Sequence, residues 1–231
     1  MSTIQILTKF LSRLLPSKEV LIVCILFYIL GIVFAFMNQI QAQVTFHGGM
    51  FLDNIDAKIQ MPLVISIYYV FNQFIYYLGA VAFNIFLNNL ILTLLCVFSG
   101  IAIFPVILIG LFMNMGTVTF FLVEKFGFVR GVLIFLGSFH LYFEFLAALL
   151  SIDAFFKFYI PFYKTIKLKN MEIFKNSIKN DVLPLLLIII MLLFIAAFLE
   201  VFWSTWWVYI MTNHYISWYE FYFGAYTVLL N

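Results

Sequence analysis

Residues 182–202 read VLPLLLIIIMLLFIAAFLEVF, and this stretch decides the fold. Its only ionisable side chain is Glu200, close to its end. A helix needs about 20 consecutive apolar residues to cross ~30 Å of hydrocarbon. Inside lipid the backbone must satisfy its own hydrogen bonds, which leaves helices or a closed barrel. Barrel strands alternate apolar and polar residues over segments of about ten, and no such alternation runs through 182–202. The stretch therefore predicts a transmembrane helix, extending over 182–207.

The rest of the chain has the same character. Of 231 residues 66% are hydrophobic and only 10% charged, whereas soluble domains carry roughly 45–50% apolar and about 25% charged residues. A chain this apolar would expose large aggregation-prone patches in water. Further spans are expected over 20–37, 83–99, 102–123 and 131–155. The first apolar run is too long for a signal peptide and lacks a small-x-small exit, so it is expected to be retained. Residues 1–18, with Lys9, Arg13 and Lys18 among apolar positions at helical spacing, predict an interfacial helix ended by Pro16; a frayed terminus is the alternative. Residues 61–81 are apolar but interrupted by Asn72 and Gln73 and crowded with tyrosines. Because Tyr prefers the headgroup level, this segment reads as an interfacial or partly inserted helix. The expected fold is all-α: a polytopic helical membrane bundle of about five spans plus interfacial helices, forming one domain over 1–231.

Charge orients the bundle. Of 12 basic residues, three lie in the N-terminal lead and six lie between Lys157 and Lys179. Basic loops remain cytoplasmic, so an even number of crossings must separate the two groups. Four crossings do so only if 61–81 does not span. The expectation is five spans in the cell membrane, N-terminus cytoplasmic and C-terminus outside. The stretch from Trp203 onward, rich in Trp and Tyr, reads as an outer-leaflet aromatic belt or a surface for a partner.

Polar residues inside the spans are the candidate site: Asn88, Asn89, Asn114, His140, Glu144 and Glu200. Ionisable groups at bilayer depth usually face a bundle interior or a water-filled cavity. His140 and Glu144 are four apart and share one helix face. At ~1.5 Å per residue they lie roughly 15–20 Å below the outer surface, with Asn114 about 14 Å and Asn88 about 8 Å down. A shared polar cluster is expected, serving either as interhelical hydrogen-bond glue or as an ion or solute pathway. Asp153 and Glu124 sit near span ends and are expected to be solvated. Gly100, Gly110, Gly116, Gly131, Gly137, Ala147, Ala148, Ala196 and Ala197 would permit close helix approach. A metal site is not expected, because His-x-x-x-Glu supplies two ligands and more would have to come from other spans. Cys24 and Cys96, both in apolar runs, read as buried small hydrophobes rather than as a disulfide or metal framework.

At these residues the sequence resembles the stage II sporulation protein M family. FNIFLNNL with GIAIFP and NMG (83–90, 100–105, 114–116) is similar to the family's Asn-Asn, Gly and Asn-Gly pattern. His140 with Glu144 and Ala147 is similar to its His-x-x-x-Glu-x-x-Ala helix, and AAFLE (196–200) to its Ala-Ala-x-x-Glu. The chain departs from the family at Leu141, where Gly is common after the histidine, and at Asn114-Met115-Gly116. The resemblance implies a fold more than a task; the sporulation member looks like a membrane scaffold that gathers peptidoglycan-degrading partners.

Three kinds of function follow as expectations. The first is a non-enzymatic scaffold or complex subunit, with protein partners or a second copy of the chain. The alternative is a channel or secondary transporter, dimeric in one version, that uses the polar cluster. An enzyme is not expected, since no phosphate-binding glycine loop, HExxH or Gly-x-Ser-x-Gly elbow is present. No cofactor and no nucleic-acid partner are implied.

Overall fold

The computed structural model describes residues 15–37, 67–101, 103–212 and 217–218. Residues 1–14 of the expected interfacial lead, residues 61–66 and most of the aromatic C-terminal stretch lie outside the described residues. All regular structure among the described residues is helical, and five helices are long and apolar enough to cross a membrane. The chain is a helical membrane bundle.

Helix α1 is Lys18–Met37, α2 Ile67–Phe98 and α3 Ile103–Phe126. Helix α4 is Phe128–Gly137 and α5 His140–Leu168. A rod of 42 residues, Met171–Thr212, follows. It contains α6 (Met171–Ser177), a π-helical turn (Ile178–Val182), α7 (Leu183–Leu199), a second π-helical turn (Glu200–Ser204) and α8 (Thr205–Thr212).

Two boundaries differ from those read in the sequence. From Ile67 onward, the segment expected to be interfacial and the span expected over 83–99 form one continuous helix of 32 residues. The span expected over 131–155 is instead two helices in line, broken at Ser138 and Phe139. Ser138 leaves helical geometry at ψ 72°, and its hydroxyl donates to the Ile134 carbonyl at 2.8 Å. Serine bonded back onto its own preceding turn competes with the backbone and bends helices.

Contacts between helices fix their directions. Tyr28 lies against Gly116, and the Phe36 and Phe120 rings are 6.2 Å apart, so α1 and α3 run parallel. Phe112 stacks on Phe145 at 5.1 Å while Gly131 abuts Leu122, so α4 and α5 descend antiparallel to α3. Helix α2 runs with α5: Asn89 meets Glu144, and Tyr159 Oη donates to Phe98 O at 3.0 Å. The rod runs against both, with Phe86 5.6 Å from Phe194 and Ser177 donating to Lys157 O at 2.8 Å. The five passes therefore alternate in direction.

The closest helix pair is α1 and α3. A Cβ on Gly31 would collide with the Met113 carbonyl, and one on Gly116 with the Tyr28 carbonyl, so only glycine lets the backbones touch. Thr117 Oγ1 then reaches Gly31 O at 3.2 Å, and Tyr28 Oη donates to Thr119 Oγ1 at 2.9 Å. The main core lies where α5, α2 and α7 meet, around Leu150, Ile189 and Val97. A second core around Cys24, Cys96 and Leu108 joins α1, α2, α3 and α5. Both cysteines are free and buried.

One end of the bundle carries most of the basic groups. The Ser17 amide, just ahead of α1, donates to Asp153 Oδ2 at 3.2 Å, and Lys157 Nζ lies 3.3 Å from the same oxygen. Asp153 is 5% exposed, a correction to the solvated position expected for it. The start of α1 and the lysine-bearing end of α5 therefore share one face of the bundle. Beyond it, α5 continues to Leu168, turns through Lys169 and Asn170, and packs back through α6, with Phe158 and Phe162 against Phe174.

Candidate intramembrane polar site

The polar side chains of α5 are presented one turn apart. Glu144 Oε1 accepts from Asn89 Nδ2 at 3.0 Å, linking α5 to α2. One turn earlier, His140 Nδ1 is 2.6 Å from Ser204 Oγ, linking α5 to the last rod. Ser204 is buried, and His140, Glu144, Asn89 and Glu200 are partly buried.

The π-helical turn positions the rod's contribution. Its wider ring brings the Thr205 amide onto the Glu200 carbonyl, which also accepts from Thr205 Oγ1 at 3.0 Å. Such single-turn bulges are frequent at functional sites. Glu200 and Ser204, at the two ends of the turn, serve the same wall: Ser204 meets His140, and the Glu200 carboxyl lies within electrostatic reach of Glu144. No hydrogen bond from a described residue reaches the Glu200 carboxyl. Three spans thus converge on two carboxyl groups, an amide, an imidazole and a hydroxyl.

The other two candidates lie elsewhere. Asn88 and Asn114 are exposed on the outer faces of α2 and α3. Asn88 is adjacent to Asn89 in sequence, but successive helical residues are ~100° apart, so one faces α5 and the other faces away. Among the described residues no group of three His, Cys, Asp or Glu is arranged to hold a metal ion.

The break between α4 and α5 recruits residues that the sequence did not single out for this role. A helix interrupted in lipid leaves carbonyls that need donors. Trp203 Nε1 donates to Gly137 O and Trp207 Nε1 to Leu133 O, both at 2.9 Å. Trp203 also stacks on Phe139 at 5.5 Å. The tryptophans read as an interfacial belt thus brace the kink. Their only sequence signal is an i, i+4 pair of donors directly following 182–202, a stretch whose one hydrogen-bonding side chain is Glu200. The same rod borders an open groove lined by Phe194, Ile195, Phe198, Leu199, Phe202, Trp203 and Trp218, almost entirely apolar and with no carboxyl in its lining.

Five alternating passes with polar side chains bonded between them define a multi-pass helical membrane protein. A family model described as Stage II sporulation protein M matches residues 20–205, most of the chain, and the protein belongs to that family. The match includes the Asn-Asn, His-x-x-x-Glu and Ala-Ala-x-x-Glu segments. No curated protein and no solved structure matches the chain at a significant level.

Proposed function

We propose that the chain is a non-enzymatic scaffold or subunit of a membrane complex, with its N-terminus and basic end in the cytoplasm. The observation that supports this reading is the use of polar side chains as braces. Asn89 is held by Glu144, His140 by Ser204, and two indoles by the carbonyls of a broken helix. Bonds of this kind average ~0.6 kcal/mol in a membrane protein. Together they make a frame with a fixed outer surface, which is what a docking platform requires. The test is purification of the full chain in mild detergent. A protein partner is expected to remain bound in fixed proportion, and to remain bound to Glu144→Gln. A chain that always purifies without other proteins overturns the reading.

One observation favours a channel or secondary transporter instead. The Glu200 carboxyl lies within electrostatic reach of Glu144 with no hydrogen-bond partner among the described residues, and membrane-embedded carboxyls often mark ion pathways. That reading requires cation flux into proteoliposomes, lost in Glu200→Gln. Absence of flux in the unaltered chain removes it.

A further inference from the structure

The outer faces of α2 and α3 carry polar groups where lipid can offer them nothing. Asn84 and Asn88 lie one turn apart on α2, on an exposed stripe continued by Ile91 and Leu95. Asn114 lies on α3 in an exposed stripe with Ile107 and Leu111, beside Gly110, whose missing Cβ would meet open space. None of the three side chains has a hydrogen bond to another described residue. The two helices are neighbours joined through the tight turn at Ser99–Ile101. At ~1.5 Å per residue, Asn88 is about 15 Å from the end of α2, and Asn114 about 16 Å from the start of α3. All three amides therefore sit well inside the hydrocarbon layer, with Asn88 and Asn114 level with each other.

A carboxamide in hydrocarbon needs both a donor and an acceptor, and acyl chains have neither. We propose that this face of the α2–α3 hairpin is where a second copy of the chain docks, the asparagines of one copy bonding those of the other across a two-fold axis. A second copy fits because an amide is its own complement, donating through nitrogen and accepting through oxygen. A two-fold interface presents the same patch from both sides, so every asparagine brings its own partner type. The open side of Gly110 lets the helices approach. The proposal goes beyond the scaffold reading, which depends on other proteins co-purifying and is unaffected by whether the chain pairs with itself.

The experiment uses the full chain in lipid nanodiscs or native membranes, with Cys24 and Cys96 replaced by Ala. Single cysteines are introduced as Asn84→Cys, Asn88→Cys and Asn114→Cys, and, as a control, Leu187→Cys on the exposed side of α7. Mild copper-catalysed oxidation is expected to give a covalent dimer from at least one of the three and none from the control. Disulfides form only between Cα atoms closer than about 7 Å, so the bond reports a true contact. In the otherwise unaltered chain, Asn114→Leu is expected to weaken dimerisation roughly threefold or more. It is an exposed substitution, so the monomer folds. A monomeric mass for the unaltered chain, as when residues outside the described set cover the amides, overturns the proposal. So does cross-linking no stronger than the control, or an unchanged dimer fraction in the Asn114→Leu chain.

Discussion

Asp153 is the acidic side chain on which the geometry of one bundle end turns. Its carboxylate accepts from the amide of Ser17, 136 positions away, and pairs with Lys157 one helical turn on. A negative group at the start of a helix also meets the positive end of the helix dipole. Hydrogen bonds to charged groups contribute about 1.5–3 kcal/mol. Asp153→Asn is therefore expected to lower stability by about 1–3 kcal/mol, read as an earlier midpoint in detergent-induced unfolding. Lys157→Met should cost less than about 1 kcal/mol, because the lysine side chain is 43% exposed and screened. Equal losses in both variants would contradict this account. From the sequence Asp153 is simply an acid near the end of a span. Nothing local announces that the start of α1 comes to rest on it. The same holds within the polar set. The His140–Glu144 spacing already placed both groups on one face, but pairing Asn89 rather than Asn88 with Glu144 depends on how α2 is rotated, and an apolar run around it does not reveal that.

Among the elements, the α1–α3 pair depends most on side-chain size. Gly116→Val would drive a branched side chain into the Tyr28 carbonyl and force the helices apart. Overpacking of this kind typically costs about 1–3 kcal/mol, and the loss should appear as a lower unfolding midpoint. Gly79→Ala on α2, where a Cβ meets nothing within 4 Å, should leave the midpoint unchanged or slightly raised. Small residues were legible as packing positions at Gly116, Ala147 and Ala197, whereas Gly110 has an open face and Gly31 lies in an apolar run with no local mark of its close contact. The kink at Ser138 and the π-helical turns were not legible either. A stretch that is apolar all round has no polar face whose phase could jump, so a break or an inserted residue leaves no mark on the pattern. Only the hydroxyl of Ser138 and the indoles of Trp203 and Trp207 betray the kink, once they are seen bonded to carbonyls.

At the scale of the whole molecule, five alternating passes place Lys18, Lys157, Lys164, Lys167, Lys169, Lys175 and Lys179 toward one end, with Lys125 and Arg130 toward the other. A membrane-impermeant maleimide should therefore label Leu15→Cys and Lys167→Cys from the same side in cysteine-free chains, and Val129→Cys from the opposite side. Labelling of Leu15→Cys and Lys167→Cys from opposite sides would overturn the alternating arrangement. The number of passes was legible because lysine clusters impose a parity on the crossings, and parity survives errors in where each helix begins. The parallel union of α1 and α3 has a consequence for how the protein is made. The contact between Gly31 and Thr117 spans 86 positions, and ribosomes add roughly 5–20 residues each second. Newly inserted α1 thus spends about 4–17 seconds in the bilayer before its mate has been translated, its glycine groove open to lipid and to any insertase that shelters nascent helices.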